Sequence, residues 1–265
     1  MDPMKKQKIR HAVRINYGKV AQEGNSGCCS TSACCSPGGA SSADAVSVQL
    51  GYSNEEVSSV PAGANMGLGC GNPQAIASLK PGEIVLDLGS GGGFDCFLAA
   101  QAVGESGHVI GVDMTPEMVS KARENSAKAG FRNVEFRLGE IEHLPVADNS
   151  VNVIISNCVI NLSPEKQKVF NDAFRVLKHG GRLAVSDVVA TVELPEEVKN
   201  DLALHAGCVA GASLISDVEG MLRKSGFINI CIQPKDESRE FIQTWASGRN
   251  IEDYVVSATI EAKKP

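Results

Sequence analysis

Three things are missing from this 265-residue sequence, and each removes a class of protein. No apolar stretch reaches the ~20 residues that a membrane-spanning helix needs, so no transmembrane helix is expected. No long basic run appears and the net charge is −6, which argues against a nucleic-acid partner. The basic first residues, MDPMKKQKIRHAVRIN, are not followed by the apolar core of a signal peptide. A cytoplasmic location is the resulting expectation. The remaining composition is that of an ordinary globular domain, 43% hydrophobic and 21% charged, long enough to bury a core.

Cysteine, by contrast, is plentiful, at nine residues. The count is odd, the chain is too long for a disulfide-stapled miniprotein, and no export signal is present. A disulfide framework is therefore not expected. In a reducing compartment this density points to metal or metalloid binding, or to redox chemistry. The plainer use is as a small buried hydrophobe. Four of the nine stand as Cys28-Cys29 and Cys34-Cys35, in a stretch from Gly24 to Ser47 rich in Ser, Gly and Ala. That stretch reads as a flexible arm. Its CC-x4-CC spacing is not the usual zinc pattern, but adjacent thiolates can hold a soft ion. Ahead of the arm, Ile9, Val13, Tyr17 and Val20 recur at helical spacing and predict an amphipathic helix over 5–22.

Residues 1–50 are thus expected as a helix and a cysteine-rich arm, and 51–265 as one domain. Ser53 before Glu55-Glu56 reads as a helix start. Gly63 to Pro73 is a glycine-rich loop that holds Cys70 between Gly69 and Gly71, the setting of an accessible thiol. From residue 82 strand and helix patterns alternate. Strands are expected at Ile84–Leu88, His108–Asp113, Val134–Arg137, Val151–Ser156, Arg182–Val189, Ile228–Gln233 and Tyr254–Ala262. Helices are expected at Phe94–Val103, Pro116–Ala129, Pro164–Val176 and Ser216–Lys224. Thr115 offers a capping hydroxyl before Pro116, and Gly130 and Gly226 offer stops. Lys178 to Gly181 reads as a turn and Pro234 to Asn250 as irregular. The alternation implies an α/β fold: a doubly wound, mostly parallel seven-stranded sheet with helices on both faces. Its last two strands close as an antiparallel pair.

Within that frame Glu83 to Phe94, EIVLDLGSGGGF, is a buried strand, a glycine turn and a helix start, which together make a nucleotide cradle. Phe94 stands where the dinucleotide fingerprint G-x-G-x-x-G needs its third glycine, and a Walker lysine is missing. Asp87, in the strand, suits a ligand that carries an amine and a sulfonium. Asp113 follows Gly93 by 20 residues and ends the second strand, where a carboxylate accepts from ribose hydroxyls. Gly139-Glu140-Ile141-Glu142 follows the third strand and can frame an adenine. The expected ligand contacts are Asp87, Gly89, Ser90, Gly91, Gly93, Asp113, Met114, Gly139, Glu140, Ile141 and Asn157. This set resembles the class I, Rossmann-like S-adenosyl-L-methionine methyltransferases.

Four further stretches narrow the resemblance. MGLGCGNP (66–73), SNCVINL (156–162), GCVAGA (207–212) and the tail from Phe241 to Pro265 are similar to the arsenite methyltransferase family. The similarity runs from about residue 50 to the end. It implies that Cys70, Cys158 and Cys208 bind trivalent arsenic and take part in its methylation, with an insertion at about 190–213 shaping the acceptor site. It also implies S-adenosyl-L-methionine as donor and arsenite or its thiol adducts as substrate. Because methyl transfer formally oxidises the arsenic, an external thiol reductant of glutathione or thioredoxin type is expected to reset the cysteines. Cys34 and Cys35 are further arsenic-ligand candidates. The chemistry agrees, because arsenic(III) is soft and thiolates are soft ligands. Cys96 and Cys231 read as core, His205 as a core or surface histidine rather than a ligand, and Asp187 as a turn cap. Two other functions stay open: a small-molecule C-methyltransferase of quinone-biosynthesis type, which needs a general base, and a metalloid-binding or sensing protein.

Overall fold

The computed structural model describes residues 2–23, 43–246 and 248–265. Cys28, Cys29, Cys34 and Cys35 lie outside them. The strands are β1 (Ile84–Leu88), β2 (His108–Asp113), β3 (Val134–Leu138), β4 (Val151–Asn157), β5 (Leu177–Ala190), β6 (Ile228–Lys235) and β7 (Val255–Lys263). They form one sheet in the order β3-β2-β1-β4-β5-β7-β6. β1 to β5 run parallel, and β7 enters antiparallel between β5 and β6. This is the doubly wound, mostly parallel sheet expected from the alternation.

Strand periodicity sorts the core into two layers, because successive side chains point to opposite faces. Val85, Val109, Val153 and Ile155 pack under helices Phe94–Val103 and Pro116–Ala129, with Phe97, Val119 and Phe136. Leu86, Leu88, Ile110 and Ile154 pack on the opposite face, under helices Lys166–Val176 and Ile215–Ser225, with Phe170 and Leu222. From β1 the chain winds toward β3, then crosses back to β4. The switch point therefore lies between β1 and β4, and a crevice opens beyond their carboxyl ends.

The N-terminal helix, Pro3–Glu23, lies across that crevice. Ile9 and Val13 bury themselves against Leu162, Leu204 and the cysteines at 158 and 208. Val20 and Ala21 meet Met66 and Met118. Ion pairs fasten the polar side: Lys6 to Glu165 at 2.9 Å, Arg10 to Glu165 at 2.8 Å and Glu142 at 3.0 Å, and Arg14 to Glu140 at 3.3 Å. Lys168, Arg10 and Lys6 together hold the Glu165 carboxyl well below its ordinary range.

Local expectations met different fates. Ser53 forms a capping box with Glu56, and Gly130 and Gly226 close their helices in the left-handed conformation. The Thr115 side chain does not cap its helix; the Asp113 carboxylate accepts from the Thr115 amide instead, at 2.8 Å. The expected turn at Lys178 to Gly181 is absorbed into β5 as a bulge. The reason is a tertiary partner: Gly180 N donates to Lys264 O, and Lys264 N to Gly181 O. The stretch after Pro234 is more ordered than its polarity suggests. Asp236–Ser238 and Arg239–Ile242 form short helical turns, because Phe241, Ile242 and Trp245 find apolar partners.

The end of the sheet is clasped by a buried amine. Lys264 Nζ donates to Phe174 O (2.7 Å), Leu177 O (2.8 Å) and Asn149 Oδ1 (2.7 Å). Lys264→Met leaves these acceptors without a donor. It is expected to cost about 2–3 kcal/mol, measured as a lowered urea midpoint; an unchanged midpoint contradicts the clasp.

Candidate functional site

The turn from β1 into the next helix is built on one carbonyl. Gly89 N and Ser90 N both donate to Val112 O, at 2.7 and 3.1 Å. Gly91 N then donates to Asp113 Oδ2 at 3.0 Å, so the glycine turn and the end of β2 share one carboxylate. Gly91 has φ +50°, and none of the described residues lies within 4 Å of where a Cβ would stand. Its open side faces a cavity of about 450 Å³. Met114 and Ile141 line one wall of this cavity, and Asn157, Cys158 and Cys208 another. Arg10, Val13 and Tyr17 of the N-terminal helix, with Phe241 and Trp245, complete the enclosure.

Three aspartates face this space: Asp87, Asp95 and Asp113. Burial pushes the Asp87 carboxyl well above its ordinary value, and neighbouring Asp95 adds to the effect. Its proton-donating neighbour is Cys96, whose Sγ lies 3.2 Å from Asp87 Oδ2. Burial raises Asp95 to about 6, although Tyr52 and Gln74 hydrogen-bond it. Burial raises Asp113 as well, against the pull of the amides of Thr115 and Gly91. Burial penalises the charged form of these carboxylates, so a cationic ligand brought against them favours their ionised form and is favoured in turn.

Not every expected contact reaches the cavity. Gly93, Gly139 and Glu140 are absent from its lining. A Cβ on Gly93 would lie 2.7 Å from the Phe97 ring, so glycine there serves packing. Gly139 N donates to Asp113 O at 3.0 Å and braces the wall from behind. Glu140 turns to Arg14 and Arg10 of the N-terminal helix.

The second half of the site is sulfur. Cys158 directly follows β4, Cys208 follows the helix Leu202–Ala206, and Cys70 comes from the loop ahead of β1. All three are buried. Cys208 Sγ donates to Cys158 O at 2.7 Å. Hydrogen bonding with Cys208 and Cys70, and then burial, pushes the Cys158 thiol well above its ordinary value. Burial raises Cys70 too. Cys70 stands behind Cys158 rather than on the cavity wall. Cys158 and Cys208 have φ of +58° and +64°. Left-handed backbone at a non-glycine residue costs on the order of 1 kcal/mol and is kept only where its surroundings hold it.

For Cys158, Asp187 supplies that hold. Its carboxylate accepts from Ile160 N (2.9 Å), Asn161 Nδ2 (2.9 Å) and Val188 N (2.8 Å), and so fixes the turn after Cys158. It stands inside β5, not at its end, and caps the turn after β4 rather than its own. One of its oxygens and the sulfurs of Cys70 and Cys158 all lie within 4.8 Å of one another. Burial raises this carboxyl to about 6. His205 is no ligand: its Nε2 donates to Leu162 O at 3.2 Å. Cys96 is core, as expected. Cys231 is exposed rather than core, because β6 is an edge strand.

Several lining residues escape sequence reading. Asp95 carried a usable signal, an acid in the first helical turn after a glycine loop. Arg10, Phe241 and Trp245 carried none, since only tertiary packing brings them here. Lys166 starts the helix after Cys158 and donates to Gly211 O, in the loop that carries Cys208. Burial lowers its amine to about 8.

Residues 79–226 match a family model described as a methyltransferase domain. The chain is 57% identical over 267 positions to a protein of Halobacterium salinarum named arsenite methyltransferase, spanning 98% of this chain and 67% of that one. It is 44% identical over 227 positions to one of the same name from Aquipseudomonas alcaligenes, spanning 83% and 62%. The crystal structure of an arsenic(III) S-adenosylmethionine methyltransferase from Chlamydomonas reinhardtii superposes with a TM-score of 0.64 at 32% identity, covering 84% of this chain and 74% of that one. The chain thus spans about two thirds of the length of the curated relatives.

Asp95 supplies a stability test. Its folded-state pKa of about 6 lies above the ordinary 3.8. The protonated form is therefore favoured in the folded chain. That contribution is fully present below about pH 4 and is lost as the pH rises through about 6. Asp95→Asn keeps an acceptor for Tyr52 and has no such loss. Between about pH 4 and pH 7 it is expected to gain roughly 2 kcal/mol on wild type, read from urea midpoints at each pH. Parallel pH curves for the two proteins contradict the assignment.

Proposed function

The chain belongs to the arsenite methyltransferase family of S-adenosylmethionine-dependent methyltransferases, and on that premise we propose that it methylates trivalent arsenic held by Cys70, Cys158 and Cys208. One observation carries the reading. Three buried thiols from three distant segments converge beside a cavity whose other end is lined with carboxylates.

The cavity residues fit the donor. Among the described residues Ser90 Oγ is buried without a partner, and Gly91 leaves its backbone open. Asp113 can accept from the ribose hydroxyls, Met114 and Ile141 can flank the adenine, and Asp87 and Asp95 balance the ammonium and sulfonium charges. When bound, the donor supplies an electrophilic methyl group. The rest is the work of the chain. Each thiol passes its proton to a hydroxide leaving arsenous acid, so one As–O bond becomes one As–S bond and one water departs. Arsenic on three sulfurs keeps a lone pair and carries no proton, so its methylation needs no general base. The chain aligns that lone pair and, through the N-terminal helix, excludes water.

Methyl attack formally oxidises the arsenic by two electrons. Two cysteine sulfurs leave the arsenic and return the electrons by joining as a disulfide, while an external thiol of glutathione or thioredoxin type gives up its proton and takes the vacated place as thiolate. Further external thiol reduces the disulfide by exchange. The methyltransferase domain is residues 51–265, with the insertion at about 190–213 carrying Cys208, and the N-terminal helix closes over its cavity. Its setting is the cytoplasm and its role the detoxification of arsenic.

Arsenite, a thiol and methyl-labelled S-adenosylmethionine test this directly: label is expected in methylated arsenicals. Arsenite binding without transfer, or label only in an aromatic acceptor, overturns it. Cys158→Ser and Cys208→Ser are each expected to abolish transfer and weaken arsenite binding while donor affinity holds. Near wild-type turnover in either removes the three-thiol site. Asp113→Ala is expected to raise the donor Kd by about 10- to 100-fold, from the loss of charge-assisted hydrogen bonds. An unchanged Kd by equilibrium dialysis takes Asp113 out of the donor site.

A further inference from the structure

The two ends of the cavity are joined by a partly buried chain of hydrogen bonds with one buried tyrosine at its centre. Asn157, the last residue of β4 and the neighbour of Cys158, grips the loop on either side of Cys70. Its Oδ1 accepts from Cys70 N at 3.0 Å, and its Nδ2 donates to Gly71 O at 2.7 Å. These two bonds fix which way the amide points, since an amide N–H needs an oxygen and a carbonyl needs the NH2 group. The remaining amide hydrogen goes to Tyr52 Oη, at 3.0 Å. Tyr52 in turn donates to Asp95 Oδ1, at 2.8 Å. Its ring stands edge-on to Phe94, with centroids 4.8 Å apart. Phe94 and Asp95 both line the cavity at the cradle end. Ser257 Oγ donates to Cys70 O at 2.6 Å and gives the loop its other fastening.

Tyr52 is buried, stands 18 residues before Cys70, and does not line the cavity. Its hydroxyl spends its proton on Asp95 and its lone pair on Asn157. Asp95 and Asn157 line the cavity, but Tyr52 itself touches neither end of it. What it does is make the position of the Asp95 carboxylate and the position of the Cys70 loop depend on each other. The loop is rich in glycine, with Gly67 and Gly69 at positive φ, so ordering it carries a large entropic cost. A ligand that fixes Asp95 meets part of that cost, and a second ligand that needs Cys70 in place then binds more tightly.

We propose that Tyr52 is a positioning residue that couples occupancy of the donor end of the cavity to the placement of the Cys70 thiol, so that methyl donor and trivalent arsenic bind with positive cooperativity. This rests on the function proposed above. The coupling is reciprocal: arsenic on the thiols tightens the donor by the same factor.

The test uses the full chain, arsenite, and S-adenosylhomocysteine as a donor-shaped ligand with no methyl to transfer. Arsenite Kd is measured with and without a saturating amount of it, for wild type and for Tyr52→Phe. Wild type is expected to bind arsenite on the order of fivefold more tightly with the ligand present. In Tyr52→Phe that ratio is expected to fall to about one, while arsenite affinity without the ligand stays within about threefold of wild type. A merely structural loss would lower both affinities and leave the ratio standing. A wild-type ratio of one, or equal ratios in the two proteins, overturns the proposal. Amide hydrogen exchange at Cys70 and Gly71 is read alongside, without arsenite. Protection is expected to rise when S-adenosylhomocysteine binds wild type; no rise overturns the coupling even if Tyr52→Phe does not fold. Failure of wild type to bind arsenite, with that exchange response intact, overturns the function and not the link between donor end and loop.

Discussion

The site depends on a clamp between two strands. β4 ends at Asn157, and the next residue must turn its backbone left-handed to leave the sheet. Neighbouring β5 holds that turn: Ser186 O accepts from Cys158 N at 2.8 Å, and Asp187 takes the amide of Ile160 and the side chain of Asn161. The clamp sets where Cys158 points. Cys208 then leans its thiol on the Cys158 carbonyl, and Cys70 is hung from Asn157. Three cysteines from remote segments meet because each is referred to the same short length of β4.

Electrostatics separates the cavity into two characters. At the cradle end, carboxylates crowd one another under burial, and Asp87 and Asp95 hold protons more tightly than free aspartates do. A cation relieves that crowding, so the cradle is tuned to charge as well as to shape. At the other end burial pushes the Cys70 thiol up, and hydrogen bonds with Cys208 and Cys70, then burial, push the Cys158 thiol up. A neutral, closely spaced sulfur cluster is suited to a soft, uncharged acceptor and poorly suited to a hard ion.

The parts of this architecture with local causes were legible in the sequence. β1, β2 and the two helices that follow them came out to the residue, because apolar runs, a proline and glycine stops are short-range signals. That Cys70, Cys158 and Cys208 come together was legible through their motifs. What escaped has long-range causes. The bulge at Gly180 exists because Lys264 pairs with it, 84 positions away in the chain. Cys231 is exposed because β6 has a neighbour on one side only, and strand order is not written in any one segment. The enclosure by Arg10, Val13 and Tyr17 follows from acids at Glu142 and Glu165 that no spacing links to the first helix. Tyr52 is invisible for the same reason, since its partners come from β4 and from the cradle helix.

The placement of β7 has a kinetic side. Among the described residues β6 is bonded to β7 and to no other strand, and β7 sits between it and β5. Residues 228–235 therefore cannot join the sheet until 255–263 has inserted. Growth from β1 outward can proceed in step with the chain on one wing, through β2 and β3. On the other wing it must pause at β5 and then take its last two strands in reverse order. Pairings of that kind close large loops before any contact repays them, which raises contact order and slows folding. During that interval the far edge of β5 stands open, a bare strand edge of the kind that invites pairing with another chain.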